Sequence, residues 1–105
     1  MAAVAEFELI VLLAVLQCGD GAYSVAVHAE LERRSRRAAS IGAVYVTLER
    51  LEAKGFLTSR LGEPTAVRGG RAKRYFLLTA AGKAAVREEC RVLKRMWAGL
   101  GLLPD

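Results

Sequence analysis

Between positions 7 and 16 the chain is apolar at every residue but Glu8, with Phe7, Leu9, Ile10, Leu13, Ala14 and Leu16 leaving no polar stripe. A helix of this pattern has no side suited to water, so it is expected to be covered all round. Cys18-Gly19-Asp20-Gly21 then reads as a turn from its glycine and aspartate content. Apolar residues return at i+4 steps, Tyr23, Val27 and Leu31, which predicts a second helix over about residues 22–36. Its end is very basic, with Arg33, Arg34, Arg36 and Arg37. A third helix is predicted from Ser40, a good N-cap, with Ile41, Val44, Leu48 and Leu51 on one face and Gly55 ending it in a left-handed cap.

After Gly55 the period shifts from near 3.6 to 2. Residues 57–61 read as a strand, and residues 74–78, Arg74-Tyr75-Phe76-Leu77-Leu78, as its antiparallel return. The connection, residues 62–73, is too long for a tight turn and carries Pro64, the pair Gly69-Gly70 and alternating cations, so it is expected to be a flexible basic loop. A last helix is predicted from a Thr79 cap to about Leu100, with Val86, Cys90, Leu93, Trp97 and Leu100 forming a coiled-coil-like seam. This order of elements is that of a winged helix-turn-helix, a mainly α fold with a small β-hairpin. Residues 1–78 would form its three-helix core and two-stranded wing, and residues 79–105 a C-terminal helix packed on the same domain.

Composition narrows the picture. At 105 residues the chain suits one domain, and 53% apolar with 26% charged residues is the balance of a globular protein. A net charge of +5 favours a polyanionic partner through release of condensed counterions. The apolar run at 7–16 is shorter than the roughly 20 residues needed to cross a bilayer. It is also flanked by Glu6 and Glu8 where a secretion signal carries positive charge, so neither a membrane role nor secretion is expected. Cys18 and Cys90 lack a C-x-x-C partner and His28 is the single histidine, which leaves no ligand set for a metal or cofactor. Reduced thiols fit a cytoplasmic location. With no nucleophile motif and no phosphate-cradling loop, enzymatic chemistry is not expected.

The charge is placed as well as present. From Thr58 to Tyr75 there are five cations, Arg60, Arg68, Arg71, Lys73 and Arg74, against the one acid Glu63. On a helical wheel Gly42, Ala43, Val46, Arg50 and Ala53 lie opposite the core stripe of the third helix, with Tyr45 and Thr47 on its flanks. Small side chains let a helix backbone sit deep between phosphate walls. Arg50 suits a guanine edge, Val46 a thymine methyl, and the Tyr45 and Thr47 hydroxyls suit phosphates. An exposed Gly42 beside an exposed Val46 has no merit for helix stability, since Gly costs about 1 kcal/mol relative to Ala. The expected contact set for double-stranded DNA is therefore Arg37, Ser40, Gly42, Ala43, Tyr45, Val46, Thr47 and Arg50, with Arg68, Arg71, Lys73 and Arg74 from the wing.

The run Ser40-Ile41-Gly42-Ala43-Val44-Tyr45-Val46-Thr47-Leu48-Glu49-Arg50-Leu51-Glu52-Ala53-Lys54-Gly55-Phe56-Leu57 resembles the recognition-helix motif of PadR-like regulators. Gly70-Arg71-Ala72-Lys73-Arg74-Tyr75-Phe76-Leu77-Leu78-Thr79 with Gly82 resembles their wing motif, and with Tyr23 the likeness covers roughly residues 5–98. The resemblance implies a dimer built on the last helix, repression of a neighbouring gene and, in many members, release by a small effector. Two departures stand out: Ser24 follows the tyrosine where the family usually has Gly, and a single helix is read after the wing where the family has a longer C-terminal domain. The second departure counts against carrying over the family's effector binding, but not its DNA binding.

Dimerisation is also expected from the residues themselves, because an apolar first helix and a Leu/Trp seam exceed what one small domain can hide. The interface is placed at Phe7, Ile10, Val86, Cys90, Leu93, Trp97 and Leu100. Two copies of Trp97 across a dyad would offer a platform for a flat small-molecule effector. The competing class is a winged-helix protein-interaction module, which has no need of cations both before the third helix and on the hairpin.

Overall fold

The computed structural model describes residues 4–63 and 72–102. Three helices, α1 (Glu6–Cys18), α2 (Ser24–Ser35) and α3 (Ile41–Ala53), precede an antiparallel hairpin of β1 (Leu57–Leu61) and β2 (Arg74–Leu78), and α4 (Ala80–Trp97) follows. A 3-10 turn, Gly19–Gly21, joins α1 to α2. The core is one cluster in which Val11, Leu12, Val27, Val44, Leu48 and Leu51 are shut off from solvent. α1 runs through its centre, touching α2, α3, β2 and α4. Its cover within the single chain is incomplete: Leu13 and Leu16 are exposed.

The hairpin obeys the two-residue period. Leu57 pairs with Leu78 and Ser59 with Phe76, and Leu57, Phe76 and Leu78 are buried, while Thr58 and Leu77 point outward. Phe76 donates its backbone N–H to the Ala22 carbonyl at 2.9 Å, holding residue 22 outside the helical region at φ −83° and ψ 72°. That tertiary bond explains why α2 begins at Ser24 instead of Ala22. α4 is also shorter than expected: it stops at Trp97, and Gly99 and Gly101 take positive φ angles of 78° and 69°, so Leu100 lies in a turn beyond the helix.

One junction fixes α3, the wing and α4 together. Gly55, at φ 85°, ends α3, and the chain turns into β1. Thr79 caps α4 by accepting from the Gly82 N–H at 3.0 Å, donates its hydroxyl to the Gly55 carbonyl at 2.6 Å, and bonds through its own N–H to the Phe56 carbonyl at 3.1 Å. A Cβ on Gly82 would lie 2.1 Å from the Phe56 oxygen, so only glycine lets the first turn of α4 rest on that backbone.

Candidate nucleic-acid interface

α3 has two unlike faces. Val44, Thr47, Leu48 and Leu51 are buried, and Ser40, Ile41, Gly42, Ala43, Tyr45, Val46 and Arg50 are exposed, Val46 at 53%. The outward set of small residues with Val46 and Arg50 is the one its periodicity predicts. Ser40 caps the helix by accepting from the Ala43 N–H at 3.0 Å. A Cβ on Gly42 would meet nothing nearer than the Ser40 hydroxyl at 4.0 Å, so the fold itself does not require glycine there.

Two positions on α3 depart from the sequence reading. Ile41, assigned to the core stripe, is 45% exposed, because the first turn of the helix protrudes before it reaches the core. Thr47, assigned to a phosphate-facing flank, is buried and donates its hydroxyl to the Ala43 carbonyl at 2.8 Å. A core stripe is broad enough to include i+3 from Val44 as well as i+4, and threonine satisfies its hydroxyl on the preceding turn. Thr47 therefore has no free donor for a phosphate in this arrangement.

The turn before α3 is held by specific bonds. His28 Nε2 lies 2.6 Å from the Ala39 carbonyl, one residue before the cap. Arg36 closes α2 in the left-handed region at φ 57°. Arg33 and Arg34 both reach Glu30, whose carboxyl lies below its ordinary pKa because of those two hydrogen bonds. Arg37 pairs with Glu6. An exposed pair such as Arg37 with Glu6 contributes little to stability.

At the wing, Lys73 Nζ stands 4.3 Å from the centre of the Tyr23 ring and the Arg60 guanidinium 5.0 Å from that of Tyr75, and the two tyrosines meet edge to face at 5.8 Å. Arg68 and Arg71 lie outside the described residues. Arg74 differs from Arg60 and Lys73, the other described cations of the wing. Instead of facing outward it bonds to Ser59, Glu52, Glu49 and Tyr45, and although burial opposes its charge, the hydrogen bond to Tyr45 and the neighbouring carboxylates outweigh this and raise its pKa. Arg74 is expected from sequence among the phosphate contacts; its acidic partners lie 22 and 25 residues away, where no local spacing points to them.

Of the positions expected at a dimer interface, Val86 is buried in the chain's own core, and Phe7 and Ile10 are half-buried against it. Cys90, Leu93 and Leu100 are exposed and Trp97 is half-buried. A largely apolar groove of about 260 Å³ lies between α1 and α2, lined by Ile10, Leu13, Ala14, Gln17 and Leu31, with Glu30 and Arg34 at its edge. Cys18 sits half-buried nearby, and burial pushes its thiol pKa up. Among the described residues no group of three or more His, Cys, Asp or Glu is placed to hold a metal ion, and no helix is long and apolar enough to cross a membrane.

Residues 12–88 match the transcriptional regulator PadR-like family. The transcriptional regulator Rv3488 of Mycobacterium tuberculosis is 43% identical over 67 residues, 64% of this chain and 58% of that protein, so the chain spans less than two thirds of this relative's length. A PadR family transcriptional regulator from Eggerthella lenta superposes with a TM-score of 0.70 at 23% identity, over 91% of this chain and 83% of its own. F93 from STIV, a winged-helix DNA-binding protein, superposes with a TM-score of 0.65 at 20% identity, over 87% of this chain and 90% of its own. These structural likenesses establish the winged-helix fold.

Proposed function

We propose, from the premise that the chain belongs to the PadR-like family of transcriptional regulators, that it binds double-stranded DNA sequence-specifically as a homodimer and represses transcription. The observation that carries this reading is the outward face of α3, where Gly42, Ala43, Val46 and Arg50 are exposed while the opposite face is locked into the core. Such a face enters a major groove without steric conflict. Arg50 then reads a base edge, Val46 touches a thymine methyl, and Tyr45 with the cations of the α2–α3 turn and Lys73 sets the register on the phosphates.

A second copy is the natural cover for the apolar surface left open. Leu13 and Leu16 on α1 and Leu93 and Met96 on α4 are all exposed in the single chain. A twofold pairing through these helices presents two copies of α3 to successive major grooves, about 34 Å apart, on an inverted repeat. Occupying a promoter in that way excludes polymerase. Selection of bound fragments from random duplex DNA tests the proposal: an inverted repeat with half-sites about one helical turn apart is expected. No enrichment even in dilute buffer would overturn it, and would leave an interaction module as the better reading of the same fold.

A further inference from the structure

Arg74 opens β2 opposite Leu61, at the loop end of the paired strands, and all three guanidinium nitrogens are in use. Nε donates to the Ser59 hydroxyl at 3.0 Å, Nη2 to Glu52, and Nη1 faces Glu49 Oε2 at 3.4 Å and the Tyr45 hydroxyl at 3.5 Å. The Ser59 hydroxyl in turn donates to Glu52 at 2.6 Å, and the guanidinium carbon stands 4.9 Å from the centre of the buried Phe76 ring. Tyr45, Glu49 and Glu52 are spaced four and three residues apart, so one side chain from the hairpin grips a single flank of α3 over two turns.

That flank borders the face proposed to meet DNA, and it carries two carboxylates, Glu49 being half exposed. Left bare they would repel the phosphates. Four of the five Arg74 N–H donors are committed to these partners, so a phosphate would have to compete with them for the guanidinium. Resting on the DNA-binding reading above, we infer that Arg74 is a positioning residue: it fixes the wing against α3, neutralises Glu49 and Glu52, and directs the Tyr45 hydroxyl proton outward, without contacting the duplex. A hydroxyl that accepts from Arg74 keeps its own proton for an outside acceptor, which makes Tyr45 the donor at this edge.

The test is a mutant cycle on the full chain with the selected duplex. Arg74→Gln is expected to weaken binding about tenfold or more. Adding E49Q and E52Q to that variant should restore the part of the loss due to the bared carboxylates, more than about threefold, whereas the same two changes beside an intact Arg74 should alter affinity less than about threefold. The salt slope of the triple variant should equal that of the wild type. If the acid changes shift affinity by the same factor with and without Arg74, and the slope falls by about one, Arg74 is an ordinary phosphate contact and the inference is wrong. Wild-type binding in the same assay separates that outcome from a failure of DNA binding itself. A measurement on the unaltered protein guards against variants that fail to fold: the Arg74 Nε–H resonance should be protected from water exchange in the free protein and move little when duplex is added. Protection that arises only in the complex would equally overturn the assignment.

Discussion

The Glu8 carboxylate, buried on α1, accepts from Lys54 Nζ at 2.8 and 3.0 Å and ties the first helix to the end of the third. It also accepts from the Ala5 N–H at 2.9 Å, closing the first turn of α1. Burial alone would raise its pKa, but the Lys54 and Ala5 hydrogen bonds outweigh that and hold it below the ordinary carboxylate range. A carboxylate whose pKa is depressed on folding adds stability above its unfolded pKa, and that stability is lost as pH falls through the depressed value. Glu8→Gln should therefore cost about 1–3 kcal/mol at pH 7, and the gap to the wild type should close in acid. Urea unfolding across pH measures it, and a gap that stays constant down to strongly acidic pH would contradict the pairing.

The α3–α4 junction is as tight as its geometry implies. Gly82→Ala should destabilise by about 2–4 kcal/mol, since the added methyl meets backbone rather than a movable side chain. Gly42→Ala, in open space on the exposed face of α3, should instead raise stability by up to about 1 kcal/mol. Thermal unfolding of the two variants compares a glycine that the packing needs with one that it does not.

Arg36 is the described residue other than glycine with a positive φ. Arg36→Gly relieves the left-handed conformation and should stabilise the fold by about 0.5–1 kcal/mol. If the cation serves the duplex, the same change should weaken binding to all sequences alike and lower the salt slope by about one. A gain in stability without loss of affinity would remove Arg36 from the phosphate contacts.

Specificity should separate from affinity at Arg50. Arg50→Ala is expected to relax preference at one base pair, at about 1–3 kcal/mol, while binding to random DNA changes much less. Competition between the selected site and its single-base variants reads this directly. Equal losses on selected and random duplex would make Arg50 a phosphate contact.

What the chain makes legible in advance is whatever depends on period and on local chemistry. The caps at Ser40 and Thr79, the end of α3 at Gly55 and both strands are where alternation and turn residues place them. Contacts between distant residues leave no such trace. The bond from Phe76 to Ala22 delays α2 by two residues, and the Arg74 cluster joins positions 45, 49, 52, 59 and 74 that no spacing rule links. Glu8 carried a signal that could have been used: an acid inside an otherwise apolar helix needs a partner once that helix is covered. Thr47 was likewise readable as core from its i+3 relation to Val44.

Val92, Leu93 and Met96 are exposed on the second half of α4, beyond the point where Val86 enters the core. Changing Leu93 and Met96 together to Glu leaves that core untouched, so the monomer should stay folded while the proposed pairing is lost. Sedimentation should show a dimer for the wild type and a monomer for the variant at micromolar concentration. Because each α3 would then hold its half-site alone, affinity for the full inverted repeat should fall to roughly that for a single half-site, a loss on the order of a hundredfold. A variant that remains dimeric would move the interface away from α4, and one that is monomeric yet binds the repeat undiminished would detach recognition from the twofold.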